Sequence, residues 1–232
     1  MTIDPKSREM AVLRLLDDWP WTQGQVIIGG YAVAAYGRPR YSNDIDVVVP
    51  LHSTSSILQW LSDNDLVMES HSTPNPQNYD GEVFRYKKED VIIDILSGFV
   101  RDRDAQVDVP QQWIAERPKF TRLFTLTGST STTVPVARAE AIWALKLQAG
   151  RDQDFTDLYS ILHVTVNEKE VRDLFKTHWS SSLESKLIKS VKISSDRKIY
   201  EDSMSRLELK QTEHTWNDWI RFQKRIKSMI PM

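Results

Sequence analysis

The chain has 232 residues, of which 40% are hydrophobic and none is cysteine, and its formal net charge is -2. That length and apolar content suit one large domain or two small ones with a packed core, and a charge so near zero excludes a strongly basic coat over the whole surface, though not a local basic patch. Disulfides and zinc–thiolate centres are excluded by the missing cysteines. Residues 1–10 are too polar for a secretory signal, and no apolar run reaches the ~20 residues of a membrane helix, so a soluble cytoplasmic protein without membrane contact is expected.

In chain order, Met10, Leu13 and Leu16 form a helical stripe within residues 6–19, and Pro20 ends it. Val26 to Ile28 is a short apolar strand stopped by Gly29-Gly30. The alanine-rich stretch from Tyr31 to Tyr36 predicts a short helix, closed by Gly37 and Pro39. Ile45 to Val49 is a β-branched strand, and Thr54 to Leu61 predicts a helix capped by Ser53. Residues 71–81 read as a loop. Glu82–Tyr86 and Val91–Leu96 read as strands around the charged turn 87–90, and Val134–Ala137 as a further strand after a variable stretch. From Ala139 the pattern is helical. Gly150 stands where a helix would close, Asp152 where the next would be capped, and most of the chain beyond is helix. The expectation is an α/β (α+β) chain. A mixed sheet with flanking helices fills residues 1–130, and a mainly helical domain fills residues 131–232.

The chemistry lies in Gly29-Gly30, thirteen further residues, and then Asp44-Ile45-Asp46 running into three valines. Two aspartates one residue apart on a strand point to the same face. Clustered carboxylates are costly unless a cation lies between them, and hard divalent metals take oxygen ligands. Phosphoryl-transfer sites hold magnesium against phosphates in this way. A glycine pair entering a helix N-terminus lets bare amides approach a triphosphate. Alone, the glycines would be a turn and the aspartates a solvated strand edge; their order and the apolar strand that follows make the combination specific. Asp94 sits inside the apolar run Val91 to Leu96, where a carboxylate is expensive unless paired, metal-bound or turned to solvent.

Four motifs in order give the chain its resemblance to a known family. They are Gly29-Gly30 with Arg40-x-Ser42-x-Asp44-Ile45-Asp46; Val91-x-x-Asp94-Ile95-x-x-Gly98; Lys146-Leu147-x-Ala149; and Arg151-x-x-Asp154-x-x-Asp157-Leu158-Tyr159. Together they resemble the nucleotidyltransferase superfamily of the DNA polymerase β type, and within it the AbiEii/MenT-like toxins. The resemblance implies a nucleotidyltransferase fold and transfer of a nucleoside monophosphate from an NTP to an acceptor. It implies that Asp44, Asp46 and Asp94 bind two magnesium ions, with manganese a substitute, and that Asp94 helps deprotonate the acceptor. Gly29 and Gly30 would cradle phosphate, with Arg40 and Ser42 in the same nucleotide-binding motif. Lys146 would neutralise the triphosphate, and Arg151, Asp154 and Asp157 would shape the nucleotide or acceptor side, Asp157 with a catalytic part. Two departures stand out: Ser42 where threonine is common, and Gln153 where a basic residue is often seen.

Other readings of these residues stay open. Lys146 could lie on an exposed helical face, and Asp152 and Asp154 could cap a helix. The acceptor implied by the family is RNA, particularly the tRNA 3′ end, with a toxin role and a separately encoded antitoxin. Residues 185–232 carry eleven basic against six acidic residues, with Arg221, Lys224, Arg225 and Lys227 clustered beside Trp216 and Trp219. Such a segment can follow an RNA backbone, or be an amphipathic helix with its tryptophans in the core. Competing functions are a small-molecule (antibiotic-type) transferase, a protein-modifying transferase and a catalytically silent nucleotide-binding protein.

Overall fold

Pro5 opens the first helix, α1 (Pro5–Asp17), at a position where its missing N–H has no helical partner to lose. In the computed structural model, which describes residues 4–37, 42–72, 82–102 and 107–231, the chain divides into two compact units. The first runs up to Arg101 and again from Asp108 to Arg138; the second is built on Ala139 onward.

In the first unit, α1 is followed by β1 (Val26–Ile28), α2 (Gly29–Tyr36), β2 (Ile45–Val49) and α3 (Leu51–Asp63). Then come β3 (Val67–Ser72), β4 (Glu82–Lys88), β5 (Val91–Ser97), β6 (Phe99–Asp102), β7 (Val107–Pro110), α4 (Gln111–Ile114), β8 (Lys119–Phe124) and β9 (Ser131–Val136). Seven strands form one mixed sheet in the order β3-β4-β5-β2-β1-β9-β8. The pairs β2–β5 and β1–β9 are parallel and the others antiparallel. β1 is buried along its length, and Ile45, Val47, Val48 and Val49 of β2 are fully buried, so the middle of the sheet is covered on both faces.

Several boundaries differ from the sequence expectation. α3 begins at Leu51, with Pro50 at its cap; the Ser53 hydroxyl instead donates to the Pro50 carbonyl at 3.1 Å. β3 and β8 are edge strands that hydropathy does not announce. Their exposed residues include Val67, Met68, Phe120 and Phe124, so neither shows a clean alternation of apolar and polar positions. β9 belongs to the first unit's sheet, which therefore extends to Arg138 and beyond the sequence boundary at 130.

The second unit is helical: α5 (Ala139–Ala149), α6 (Asp152–Ser160), α7 (Glu168–Thr177), α8 (Ser181–Ser194), α9 (Arg197–Arg206) and α10 (Glu213–Met229). Gly150 closes α5 with φ +57, as expected of a left-handed terminator. Arg151 takes the cap of α6 and Asp152 its first helical position. Trp143, Phe155, Phe175, Tyr200, Trp219 and Phe222 form an aromatic core with almost no exposure. No described helix is long and apolar enough to cross a membrane.

Candidate functional site

The turn from β1 into α2 brings Gly29 against β2. Ile28 is the register partner of Asp46, so the next residue lies beside that carboxylate. Gly29 has φ +66, and a Cβ placed on it would lie 1.9 Å from Asp46 Oδ2. Both facts require glycine: the backbone conformation disfavours L side chains, and the carboxylate already fills the space. The α2 N-terminus has no side-chain cap, and Gly30 beside it is buried.

Three strands carry the next layer. Asp46 on β2 is the register partner of Asp94 on β5, and Asp94 is the partner of Arg85 on β4. Partners across a sheet share a face, so Asp46, Asp94 and Arg85 form one row across it. Asp44 lies in the bend that precedes β2. Asp94 is buried at 8% exposure and is held by a two-pronged ion pair: Arg85 Nε donates to Oδ1 at 2.7 Å and Nη2 to Oδ2 at 2.5 Å. The same Nη2 lies 3.7 Å from Asp44 Oδ2. The hydrogen bonds to Asp94 raise the Arg85 pKa above its ordinary value against the opposing effect of burial, with further support from the charges of Asp94, Asp44 and Asp46.

The oxygen donors of Asp44, Asp46 and Asp94 are of the type a hard divalent cation takes. Among the described residues, however, no three acidic or imidazole side chains are gathered closely enough to hold a metal. Among the described residues, the Arg85 guanidinium is a positive charge beside Asp44 and Asp94. Sequence reasoning passed over Arg85: its place opposite Asp94 follows from the register Lys88↔Val91 across Glu89-Asp90, which hydropathy does not fix.

Ser42 is buried, and its carbonyl accepts from Arg8 Nη2 at 2.8 Å. Arg8 also donates to the Asn43 carbonyl, so α1 anchors the segment that delivers Asp44 to β2. Arg40 lies outside the described residues.

In the second unit, Lys146 of α5 meets two carboxylates of α6. Its Nζ is 2.9 Å from Asp154 Oδ1 and 2.7 Å from Asp157 Oδ2, with all three side chains buried. Burial opposes the charge on Lys146, but Asp154 and Asp157 outweigh it and raise the lysine pKa. Burial likewise works against ionised Asp154, and Lys146 and Arg151 overcome it to lower the Asp154 pKa. Arg151 contributes its Nε and its backbone N–H, both to Asp154 Oδ2, at 2.9 and 3.1 Å. Asp154 thus joins a buried ion cluster and ties down the start of α6 as well. Gln153 donates to Asp157 Oδ1 at 3.0 Å and accepts from Arg206 of α9. Arg206, a residue the sequence did not single out, is thus linked to Asp157 through the Gln153 amide.

A groove of about 730 Å³ lies in the second unit, lined in part by His163, Glu168, Arg221, Lys224 and Arg225. Arg225 is committed internally, donating to Glu168 at 3.1 Å and to the Leu162 and Val164 carbonyls at 2.7 and 3.2 Å. Arg221 is exposed and pairs with Asp218 at 3.1 Å. Trp219 is fully buried and donates to the Ser194 carbonyl at 3.0 Å, so it is core and not a stacking platform for bases. Trp216 packs edge-on against Tyr200 beneath the Arg197 guanidinium.

Among solved structures, the chain is similar to TM1012 of Thermotoga maritima, a nucleotidyltransferase candidate, with TM-score 0.47 and 16% identity over 70% of this chain and 96% of that one. It is also similar to the lincosamide antibiotic adenylyltransferase LnuA, with TM-score 0.44 and 18% identity over 71% of this chain and 100% of that one. The antibiotic-resistance factor ANT(2'')-Ia matches with TM-score 0.39 and 13% identity over 97% of this chain and 94% of that one. No curated protein matches the chain. The family model described as "Nucleotidyl transferase AbiEii toxin, Type IV TA system" matches residues 14–232, nearly the whole chain and all four motifs, and the chain therefore belongs to the AbiEii nucleotidyltransferase family.

Proposed function

We propose that the chain transfers a nucleoside monophosphate from an NTP to RNA, at a tRNA 3′ end, as the toxin of a toxin–antitoxin pair, and that it does so with magnesium. The observation that carries this reading is the row that Asp46 and Asp94 form across the sheet, with Asp44 just before β2 and near the same Arg85, beside a glycine whose missing Cβ leaves room for Asp46. An acceptor hydroxyl oxygen bonds to the α-phosphorus, the bond to the bridging oxygen breaks, pyrophosphate leaves, and the hydroxyl proton passes to a base. Asp44, Asp46 and Asp94 would hold two magnesium ions, which supply charge neutralisation and orientation when bound. Gly29 and Gly30 give the phosphates access to the uncapped amides of α2. Asp94 reaches the acceptor as a base only when it is not engaged by Arg85.

In the second unit, we assign Lys146, Arg151, Asp154 and Asp157 to one framework that orders the α5–α6 turn on the nucleotide or acceptor side. The ion pairs among them support this, because removing any member disturbs the others. The RNA reading draws on the exposed cations Arg221 and Lys224 at the groove.

The test is incubation of the purified protein with each of four α-32P-labelled NTPs, magnesium and total RNA, followed by gel separation. A labelled band of tRNA size is expected. Labelled small molecules with unlabelled RNA would replace the RNA reading with antibiotic-type transfer, and label on protein would replace it with protein modification.

A further inference from the structure

Arg85 stands where the proposed function needs a divalent cation. Its guanidinium takes both oxygens of Asp94 and comes within 3.7 Å of Asp44. A cation approaching those oxygens would meet a fixed positive charge and acceptors already in use. Yet the Arg85 side chain is 41% exposed while that of Asp94 is 11% exposed, so the carboxylate is fixed in the sheet and the arginine reaches water. The pair is bidentate and its carboxylate is buried, so losing Arg85 is costly unless another cation takes its place on Asp94 and another anion receives the guanidinium. A planar guanidinium fits phosphate oxygens as well as carboxylate oxygens.

We propose that Arg85 is a built-in counter-cation for the carboxylate trio: it holds Asp94 while the site lacks a divalent ion, and moves onto the triphosphate when nucleotide and metal enter together. The inference rests on the reading of Asp44, Asp46 and Asp94 as the metal site. Its consequence is linkage. Metal alone must displace Arg85 without compensation, whereas a nucleotide offers the guanidinium a new anionic partner. Metal and nucleotide therefore bind with positive coupling, and Arg85 is the positioning residue that creates it.

The experiment measures Mn2+ binding to the full chain by electron paramagnetic resonance of the free ion, without nucleotide. Wild type, Arg85→Gln, Asp46→Asn and the double variant are compared. Arg85→Gln is expected to bind Mn2+ about tenfold more tightly than wild type, a factor within the usual range of coupled sites. Asp46→Asn should cancel that gain in the double variant. If Arg85→Gln does not fold, Arg85→Lys keeps the charge, loses the two-pronged grip, and should show a smaller gain in the same direction. Equal Mn2+ affinity with and without Arg85, in proteins that still respond to Asp46→Asn, overturns the role of Arg85 and leaves the metal site standing. Mn2+ binding indifferent to Asp46→Asn overturns both. A second readout is the Arg85 Nε–H resonance of wild type, titrated with magnesium and a non-hydrolysable NTP analogue. It should shift at a lower magnesium concentration when the analogue is present than with magnesium alone; the same magnesium midpoint with and without the analogue overturns the coupling.

Discussion

The Asp46 carboxylate occupies the volume that a side chain at Gly29 would need: Oδ2 lies 1.9 Å from the ideal Cβ position, at a residue with φ +66. Gly29→Ala should therefore destabilise the protein through two separable causes, backbone strain and the clash. Adding Asp46→Ala removes only the clash. A thermal double-mutant cycle should give a coupling of about 0.5–3 kcal/mol, the span usual for residues in contact. Strict additivity would mean that the turn relaxes away from Asp46.

Asp46→Asn should fold as wild type and lose transfer, because an amide cannot supply the ligand charge that magnesium requires. Circular dichroism reports the fold and the labelled-NTP assay the activity. Near-normal turnover by a folded Asp46→Asn protein would remove Asp46 from the site.

Lys146→Ala strands two buried carboxylates and should cost about 3–5 kcal/mol of stability, the usual consequence of removing one member of a buried pair. Lys146→Arg should recover only part, since a planar fork does not replace a compact ammonium. Urea unfolding measures both. A well-folded, fully stable Lys146→Ala protein would show that the cluster does not hold α5 to α6.

The same cluster fixes a pH signature. Asp154 has a lowered pKa when folded, so its stabilisation is present above the unfolded carboxylate value of about 3.9 and is lost as pH falls through the lower folded value. Lys146 has a raised pKa when folded, so its contribution is complete below the unfolded value of about 10.4 and fades as pH rises through the higher folded value. Stability measured against pH should show a plateau between those limits in wild type. Lys146→Met should lose the contribution at the alkaline end and shift the acid limb upward.

The cations of α10 divide by role. Arg221→Gln with Lys224→Gln should weaken RNA binding and reduce the salt slope by roughly 0.7–0.9 per lost phosphate contact. Arg225→Gln should instead cost about 1–3 kcal/mol of stability, because it leaves the Leu162 and Val164 carbonyls and Glu168 without their donor. Filter binding across a salt series and thermal melts separate the two. An unchanged salt slope in the double variant would move the RNA contact off this groove.

What the sequence made legible was local. The apolar run from Ile45 to Val49 is a strand and Gly150 terminates α5 with a left-handed backbone, but Asp44 lies in the bend before that strand, where period two does not reach. The strands flanking Glu89-Asp90 could be read from hydropathy, but the pairing of Arg85 with Asp94 requires register, which periodicity alone does not set. β3 and β8 escaped because an edge strand with exposed apolar residues lacks the alternation that marks a half-buried one. The basic cluster of α10 was visible as charge, but the commitment of Arg225 to two carbonyls depends on the α6–α7 connection, more than fifty residues away in the chain. Gln153 stood out only as a departure from a basic residue, and its bond to Arg206 of α9, far off in the chain, could not be read from the motif.

The parallel pairing of β1 with β9 joins Ile27 to Val136, while β2, β5, β4 and β3 are all complete by residue 97. On the ribosome, the strands bearing Asp46, Asp94 and Arg85 therefore emerge well before the strand that covers the open flank of β1. Chains are synthesised at about 5–20 residues per second, so that flank waits for seconds. Pairings so distant in sequence also form slowly after loop closure. The acidic row can thus be laid down in a nascent chain whose sheet is still open at β1, and its closure waits on β9.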